Sequence, residues 1–152
     1  MFPFRVRYSK TIDKSINPEQ FDSFLSNLEV LLKEKGADYF TKENNRLIFD
    51  NKFFKLVSTM NIMAYVDGGF VEIKRTEKNK TKITYGVTLI SIWIISTIFS
   101  TIIFFSTKNL TIALVAFSFL GILTWIVSVL RHWNLLFAMT DKINNMIQTD
   151  TK

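Results

Sequence analysis

Residues 87–130 read VTLISIWIISTIFSTIIFFSTKNLTIALVAFSFLGILTWIVSVL and carry a single formal charge, Lys108. That charge lies in a short polar break, Ser106-Thr107-Lys108-Asn109. The stretch before the break, residues 87–105, has 12 Val, Leu, Ile or Phe in 19 positions, and the stretch after it, residues 110–130, has 13 in 21. About 20 apolar helical residues cross ~30 Å of hydrocarbon. The sequence therefore predicts a two-helix transmembrane hairpin over residues 83–131.

The same pattern is also compatible with a helical hairpin buried in a soluble protein. At roughly −0.3 to −0.6 kcal/mol each, the 12 apolar residues of the first segment favour membrane insertion by about 5 kcal/mol. No charge within either segment opposes this. We therefore expect spans at about 87–105 and 110–130, preceded by an interfacial lead-in at 83–86.

The orientation of the hairpin follows from its basic flanks. These are Lys74, Arg75, Lys78, Lys80 and Lys82 before the first segment and Arg131 and Lys142 after the second. The connecting loop contains only Lys108. Positive residues favour the cytoplasmic side, so we expect both termini in the cytoplasm and a multi-pass protein of the inner (cytoplasmic) membrane. Arg5 and Arg7 interrupt the first residues, which predicts no signal peptide.

The same basic residues are candidate contacts for anionic lipid headgroups. A basic side chain beside a membrane gains about 1 kcal/mol from the surface potential. The candidates are Lys74, Arg75, Lys78, Lys80, Lys82 and Arg131. The alternative is that these charges only determine the topology.

Small residues inside the two segments are candidate helix–helix contacts. They are Ser96, Thr97, Ser100 and Thr101 in the first segment and Ala113, Gly121, Thr124 and Ser128 in the second. Small side chains let helices approach closely. Either they serve the hairpin alone, or one face also binds another membrane protein or a second copy of the chain. Neither segment contains an ionisable residue, which disfavours a proton relay or ion-coupled transporter.

The first 82 residues predict a small cytosolic α+β domain. Alternation over residues 2–8 indicates a half-buried strand, with Arg5 and Arg7 on the solvent face. A helix is predicted from Pro18 to about Lys35, capped by Asn17 with Gln20 completing a capping-box-like pair, and ended by Gly36. Four further runs predict two strand hairpins: 38–41 with 46–50, and 62–66 with 70–74.

The second of these hairpins depends on Asp67-Gly-Gly69 as a turn signal. Residues 53–59 fit either a strand or a linker. Together these elements predict one helix on a mostly antiparallel sheet.

The last 21 residues, 132–152, predict an amphipathic C-terminal helix. Its apolar positions are Leu135, Leu136, Met139, Ile143, Met146 and Ile147. It either lies on the membrane surface or packs onto the N-terminal sheet. The second use would make the hairpin an insertion within one domain, and we prefer it.

The composition offers little catalytic chemistry. The absence of cysteine excludes disulfides, thiol catalysis and Cys-ligated metals. His132 is the only histidine, and we expect it at the membrane interface, solvated or against headgroups. The carboxylates show no metal-ligand spacing, and the modest net charge of +6 does not indicate a nucleic-acid groove. We expect no cofactor, no metal and no enzymatic activity.

The favoured hypothesis is a non-catalytic accessory or scaffolding subunit of a bacterial inner-membrane complex. Its partners would be the lipid bilayer and either another membrane protein or copies of itself, but not nucleic acid. A homo-oligomeric membrane-permeabilising effector or pore is the first alternative, with the Ser/Thr face lining a polar path. A membrane-tethered module that senses a ligand through its sheet is the second.

Overall fold

A computed structural model describes residues 4–51, 62–76 and 79–149. The strands are Arg5–Ile12 (β1), Phe40–Glu43 (β2), Arg46–Asp50 (β3), Gly68–Arg75 (β4) and Thr81–Thr88 (β5). The helices are Phe21–Glu34 (α1), Ile90–Thr107 (α2) and Leu110–Thr149 (α3). The strands form an antiparallel sheet in the order β1-β5-β4-β3-β2. The predicted combination of an antiparallel sheet with helices is confirmed at this level.

β1 is displaced from the predicted strand at residues 2–8. It begins at Arg5 and ends at Ile12, and residues 1–3 lie outside the described part of the chain. Tyr8 and Ile12 are buried on its core side, whereas Phe4, which the alternation over residues 2–8 places on the side opposite Arg5 and Arg7, is exposed. The strand continues to Ile12 because every residue from Arg5 onward pairs with β5.

α1 packs an apolar stripe on the sheet, as its periodicity predicts. Phe24, Leu25, Leu28 and Leu32 are buried at helical spacing. A 3-10 turn, Pro18–Gln20, precedes it.

The sequence predicts the C-terminus of this helix correctly but not the capping of its N-terminus. The predicted cap is wrong in detail: the Asn17 side chain makes no capping hydrogen bond, and only its carbonyl accepts one, from Gln20 N at 2.9 Å. Gly36 does end the helix, with a φ of 92° that favours glycine.

The predicted hairpin of residues 62–66 with 70–74 does not form. Residues 62–65 are a turn, β4 begins at Gly68, and its neighbours are β3 and β5. Gly69 is required by close packing and not by a turn, because a Cβ there would lie 2.2 Å from the carbonyl oxygen of Gly86. The ambiguous segment 53–59 lies outside the described residues.

The start of the apolar stretch belongs to the sheet. Residues 83–86, predicted as an interfacial lead-in, lie in β5, and the following helix begins at Ile90 and not at Val87. Ile83, Tyr85 and Val87 are fully buried on the core side of β5. A period of two in buried residues is typical of a strand. In the sequence, however, these apolar residues continue without a break into the helical segment.

α3 is one continuous helix of 40 residues, about 60 Å long. Its C-terminal half enters the core beneath the sheet, where Leu135, Leu136, Met139 and Ile143 are buried with residues of β1 and β5. The hairpin of α2 and α3 is thus inserted between two parts of the chain that share a core.

α2 and the first part of α3 are long and apolar enough to cross a membrane. Their most apolar 18-residue windows have mean hydropathies of 1.9 and 2.4. Only 22% and 17% of these windows are buried within the protein. Most of the apolar surface of the two helices therefore faces outward.

Candidate functional site

The small residues of the hairpin fall into two groups. Five of them are buried: Ser96, Ser100, Ala113, Gly121 and Ser128. At Gly121 a Cβ would lie 3.2 Å from Trp93 Cζ3 and 3.4 Å from Ser96 Oγ, so α2 and α3 pack closely at this point. Thr124 is half-buried beside this contact.

Thr97 and Thr101 form the second group and are exposed on α2. Their hydroxyls donate to the carbonyl oxygens of Trp93 and Thr97, each at 2.8 Å. With Ser100 and Ala113 they line an outward groove of about 380 Å³ between the two helices. Within the described residues, Ser100 Oγ is buried without a hydrogen-bond partner.

The N-terminus of α2 is capped by a carboxylate from the sheet. Asp67 Oδ2 accepts hydrogen bonds from the backbone N–H groups of Ile90 (2.6 Å) and Ser91 (3.1 Å), and Ser91 Oγ donates to Oδ1. Leu89, at the cap position itself, has no side-chain acceptor. A carboxylate there satisfies otherwise unpaired donors and complements the helix dipole. The sequence Asp67-Gly-Gly69 indicates a turn and gives no signal of this capping role.

His132 lies in the core and not at a solvated interface, which corrects the prediction. It is fully buried, and its Nδ1 lies 2.8 Å from Tyr85 Oη. Burial lowers the pKa of His132 to about 4, with a smaller opposing effect from the backbone of Ile62 and a smaller lowering effect from Arg131. Nε2 makes no well-formed hydrogen bond to any described residue. The imidazole is therefore neutral at pH 7 and structural.

A second tyrosine links the same region to α3. Tyr8 Oη donates to the carbonyl of Val129 at 2.9 Å, and its ring stacks with that of Tyr85 at 6.0 Å between centroids. Burial raises the pKa of both phenols, so they remain protonated. Tyr8, Tyr85 and His132 together connect β1 and β5 to the point where α3 leaves the apolar hairpin.

The basic run that precedes the hairpin in sequence is distant from it in space. Lys74, Arg75, Lys80 and Lys82 lie at the end of β4 and the start of β5. The length of β5, about 23 Å, separates them from the start of α2. Lys78 lies outside the described residues. Arg131 is exposed at the other end, beside the hairpin.

Two of these lysines also have acidic partners. Lys74 Nζ is 2.9 Å from Glu72, and Lys80 Nζ is 2.5 Å from Asp13. Contact of this basic run with lipid headgroups stays a prediction. The distance of the run from the start of α2 means that its closeness in sequence to the predicted first span no longer supports that contact.

One face of the sheet packs against α1 and α3 and forms the core with them. Within the described residues no helix packs on the opposite face, which we call the open face. Its side chains are Arg5, Arg7, Ser9, Thr11, Thr41, Glu43, Arg46, Ile48, Asp50, Phe70, Glu72, Lys74, Lys82, Thr84 and Thr88. Arg5 and Arg7 are exposed there, on the solvent side predicted from the alternation.

The centre of the open face is an aromatic ring between two arginines. Phe70 lies flat over Gly86, where a Cβ would be 2.4 Å from Phe70 Cε1. The guanidinium carbons of Arg46 and Arg7 lie 4.1 Å and 5.6 Å from the ring centroid. Such contacts hold a guanidinium in place over an aromatic ring. Alternation in the sequence predicts that Arg7 is exposed, but it cannot relate Arg7 to Arg46 or Phe70, because β1 is adjacent to neither β3 nor β4.

Among residues 4–51, 62–76 and 79–149, no group of three or more His, Asp or Glu side chains is arranged to hold a metal ion. No protein-family model, curated protein or solved structure matches this chain.

Proposed function

We propose that this chain is an integral membrane protein that acts as a non-catalytic accessory or scaffolding subunit of an inner-membrane complex. The observation that carries the proposal is the division of α3 into two halves. Its first half presents apolar side chains outward, and its second half is part of the core under the sheet. A helix built in this way holds a folded domain directly against a bilayer.

The exposure of the hairpin supports membrane insertion over burial in a soluble fold. Its large outward-facing residues include Ile98, Phe99, Ile102, Phe105, Leu114, Val115, Phe119 and Ile122. Burying a side chain of this kind away from water is worth about 1.5–3 kcal/mol. Lipid can supply that burial along the full length of both helices. The basic flanks then favour a cytoplasmic sheet and cytoplasmic termini.

The links between hairpin and sheet support a scaffolding role. Asp67 caps the start of α2, Tyr8 donates a hydrogen bond to the carbonyl of Val129, and His132 forms a hydrogen bond with Tyr85. These contacts come from β1, β5 and the residue before β4, so the sheet is restrained on several sides. A partner that binds the sheet would therefore be held at a fixed position relative to the membrane.

The outward groove supports a partner within the membrane. It contains Thr97, Ser100 and Thr101, where small side chains allow close approach of another helix. The pore alternative has less support, since Thr97 and Thr101 already donate to their own helix and require no polar path. No charged residue lies between Ile90 and Thr107.

Membrane insertion and orientation can be tested with single-cysteine variants, because the chain contains no cysteine. With a membrane-impermeant maleimide, we expect Thr107→Cys to react in intact cells and Asn79→Cys only after permeabilisation. The reverse pattern would overturn the orientation. Release of the chain from membranes by alkaline carbonate would overturn insertion.

The scaffolding role needs a separate measurement. Chemical cross-linking in native membranes, followed by purification at the natural abundance of the protein, is expected to yield a defined complex. Recovery of the chain only as a monomer would contradict the role, even if the labelling pattern is as expected.

A further inference from the structure

We propose that the open face binds an acidic, carboxylate-rich segment of a partner protein through Arg5, Arg7 and Arg46. This rests on the proposed scaffolding function and names the chemistry of the partner. Three observations support it: Arg7 and Arg46 lie over the ring of Phe70, Arg5 lies on the same face, and the face carries more cations than anions.

Arg46 lies between two glutamates in the register of the sheet, Glu43 on β2 and Glu72 on β4, and among the described residues it forms an ion pair with neither. Glu72 is its direct partner in the register of β3 and β4, yet Glu72 pairs with Lys74 at 2.9 Å. Arg46 instead lies over the ring of Phe70, and its Nε has no hydrogen-bond partner among the described residues. Nε itself is buried, so an external carboxylate would be bound by the terminal Nη donors of the guanidinium.

Arg7 and Arg46 are spaced for two carboxylates of one segment. Because both lie over the ring of Phe70, their guanidinium carbons are within about 10 Å of each other. Side chains on one face of an extended peptide recur every two residues, about 6.6 Å apart. Because this repeat is shorter than that upper limit, alternate acidic residues of an extended segment can reach both arginines. The planar guanidinium favours carboxylate through paired hydrogen bonds.

The charge of the open face is complementary to such a segment. Its cations are Arg5, Arg7, Arg46, Lys74 and Lys82, and its anions are Glu43, Asp50 and Glu72, with Asp67 at its edge in the cavity that Arg5 and Arg46 also line. Arg5 and Arg7 lie on the edge strand β1 and are exposed. A positive surface of this kind increases the rate at which acidic partners associate.

The direction of the strands favours a protein segment over a lipid surface. Tyr8 contacts Val129 and Lys10 contacts Phe137, so β1 and α3 run in the same direction. The open face therefore extends along the axis of α3, away from the hairpin. A flat bilayer crossed by α3 would therefore contact only the end of the open face that contains Arg5.

The test uses the full chain in nanodiscs of zwitterionic phosphatidylcholine and a fluorescein-labelled deca-glutamate peptide, with binding read from anisotropy. We expect Arg7→Gln/Arg46→Gln to weaken binding by about tenfold or more. The control, Lys74→Gln/Lys82→Gln, removes the same charge from the distal end of the face and should weaken it by less than about threefold. Arg7→Lys/Arg46→Lys keeps the charge but loses the paired donors, and an intermediate loss is expected.

Several results would overturn the proposal. They are no binding by the unmodified chain, equal losses in the Arg→Gln and Lys→Gln variants, and stronger competition by inorganic phosphate than by free glutamate at equal ionic strength. Binding to phosphatidylglycerol vesicles without binding to the peptide would assign the face to lipid and also overturn it. Circular dichroism confirms that each variant is folded. Correct cysteine labelling without peptide binding would leave the scaffolding proposal intact.

Discussion

The carboxylate of Asp67 and the backbone of Ile90 are 2.6 Å apart, although 23 residues separate them in the chain. This hydrogen bond joins the residue before β4 to the first residue of α2. The helix has no acceptor of its own at that end, since Leu89 occupies the cap position. The sheet therefore supplies the cap, and the orientation of α2 depends on the folding of the sheet.

Removing this cap should destabilise the whole protein. We expect Asp67→Ala to lower the free energy of unfolding by about 1–2 kcal/mol, because two backbone donors lose their acceptor. Asp67→Asn, which keeps an acceptor but no charge, should cost less. Denaturant titration in detergent micelles measures both. Asp13→Ala, which removes an exposed ion pair with Lys80, is the control and should cost under about 1 kcal/mol. Equal effects of Asp67→Ala and Asp13→Ala would contradict the cap.

His132 should make stability depend on pH. Its pKa is about 4 in the folded chain and 6.5 when solvated, so below pH 6.5 the unfolded chain takes up a proton that the folded chain does not. The contribution is fully present above about pH 6.5 and is lost as the pH falls to about 4, a total of about 3 kcal/mol.

The measurement for His132 is the free energy of unfolding of the unmodified chain and of His132→Phe between pH 7.5 and pH 4.5. The difference between the two chains removes the contribution of ordinary carboxylates. We expect the unmodified chain to lose more stability than the variant on acidification. Parallel curves would show that His132 does not titrate differently in the two states.

Gly69 should tolerate no side chain. A Cβ there would lie 2.2 Å from the carbonyl oxygen of Gly86 and 2.6 Å from Phe49 Cζ, so backbone must move. We expect Gly69→Ala to cost at least about 2 kcal/mol in the free energy of unfolding. Gly121→Ala is the comparison, because its nearest contact is 3.2 Å away on the Trp93 ring, and it should cost less than half as much. A smaller loss for Gly69→Ala than for Gly121→Ala would contradict the packing.

The outward groove should be the site of contact within the membrane. Thr97→Phe/Thr101→Phe fills it, and we expect the cross-linked complex from native membranes to fall to background. Ile98→Phe/Ile102→Phe places the same bulk on the same turns of α2 but on a neighbouring exposed surface, and it should leave the complex intact. Loss of the complex in the isoleucine variant alone would place the contact there.

Several elements could be predicted from sequence because local residues determine them. The periodic apolar residues of α1 and the end of that helix at Gly36 are local features. So is the hairpin of β2 and β3, which turns at Asn44 with a φ of 48°. On the open face, the exposure of Arg5 and Arg7 follows from alternation alone, but their relation to Arg46 and Phe70 does not.

The sequence by itself determined that α2 and the first half of α3 are long and apolar, because hydrophobicity adds up residue by residue along a segment. Only the tertiary structure decided that the first residues of that apolar stretch belong to β5 and not to a helix. It also decided that Gly68 and Gly69 lie in a strand. The tertiary structure alone buries His132 against Tyr85 and places the Asp67 carboxylate at the N-terminus of α2. Each of these depends on partners distant in the sequence, and pairings of that kind are set by the packing of the whole core and not by local preference.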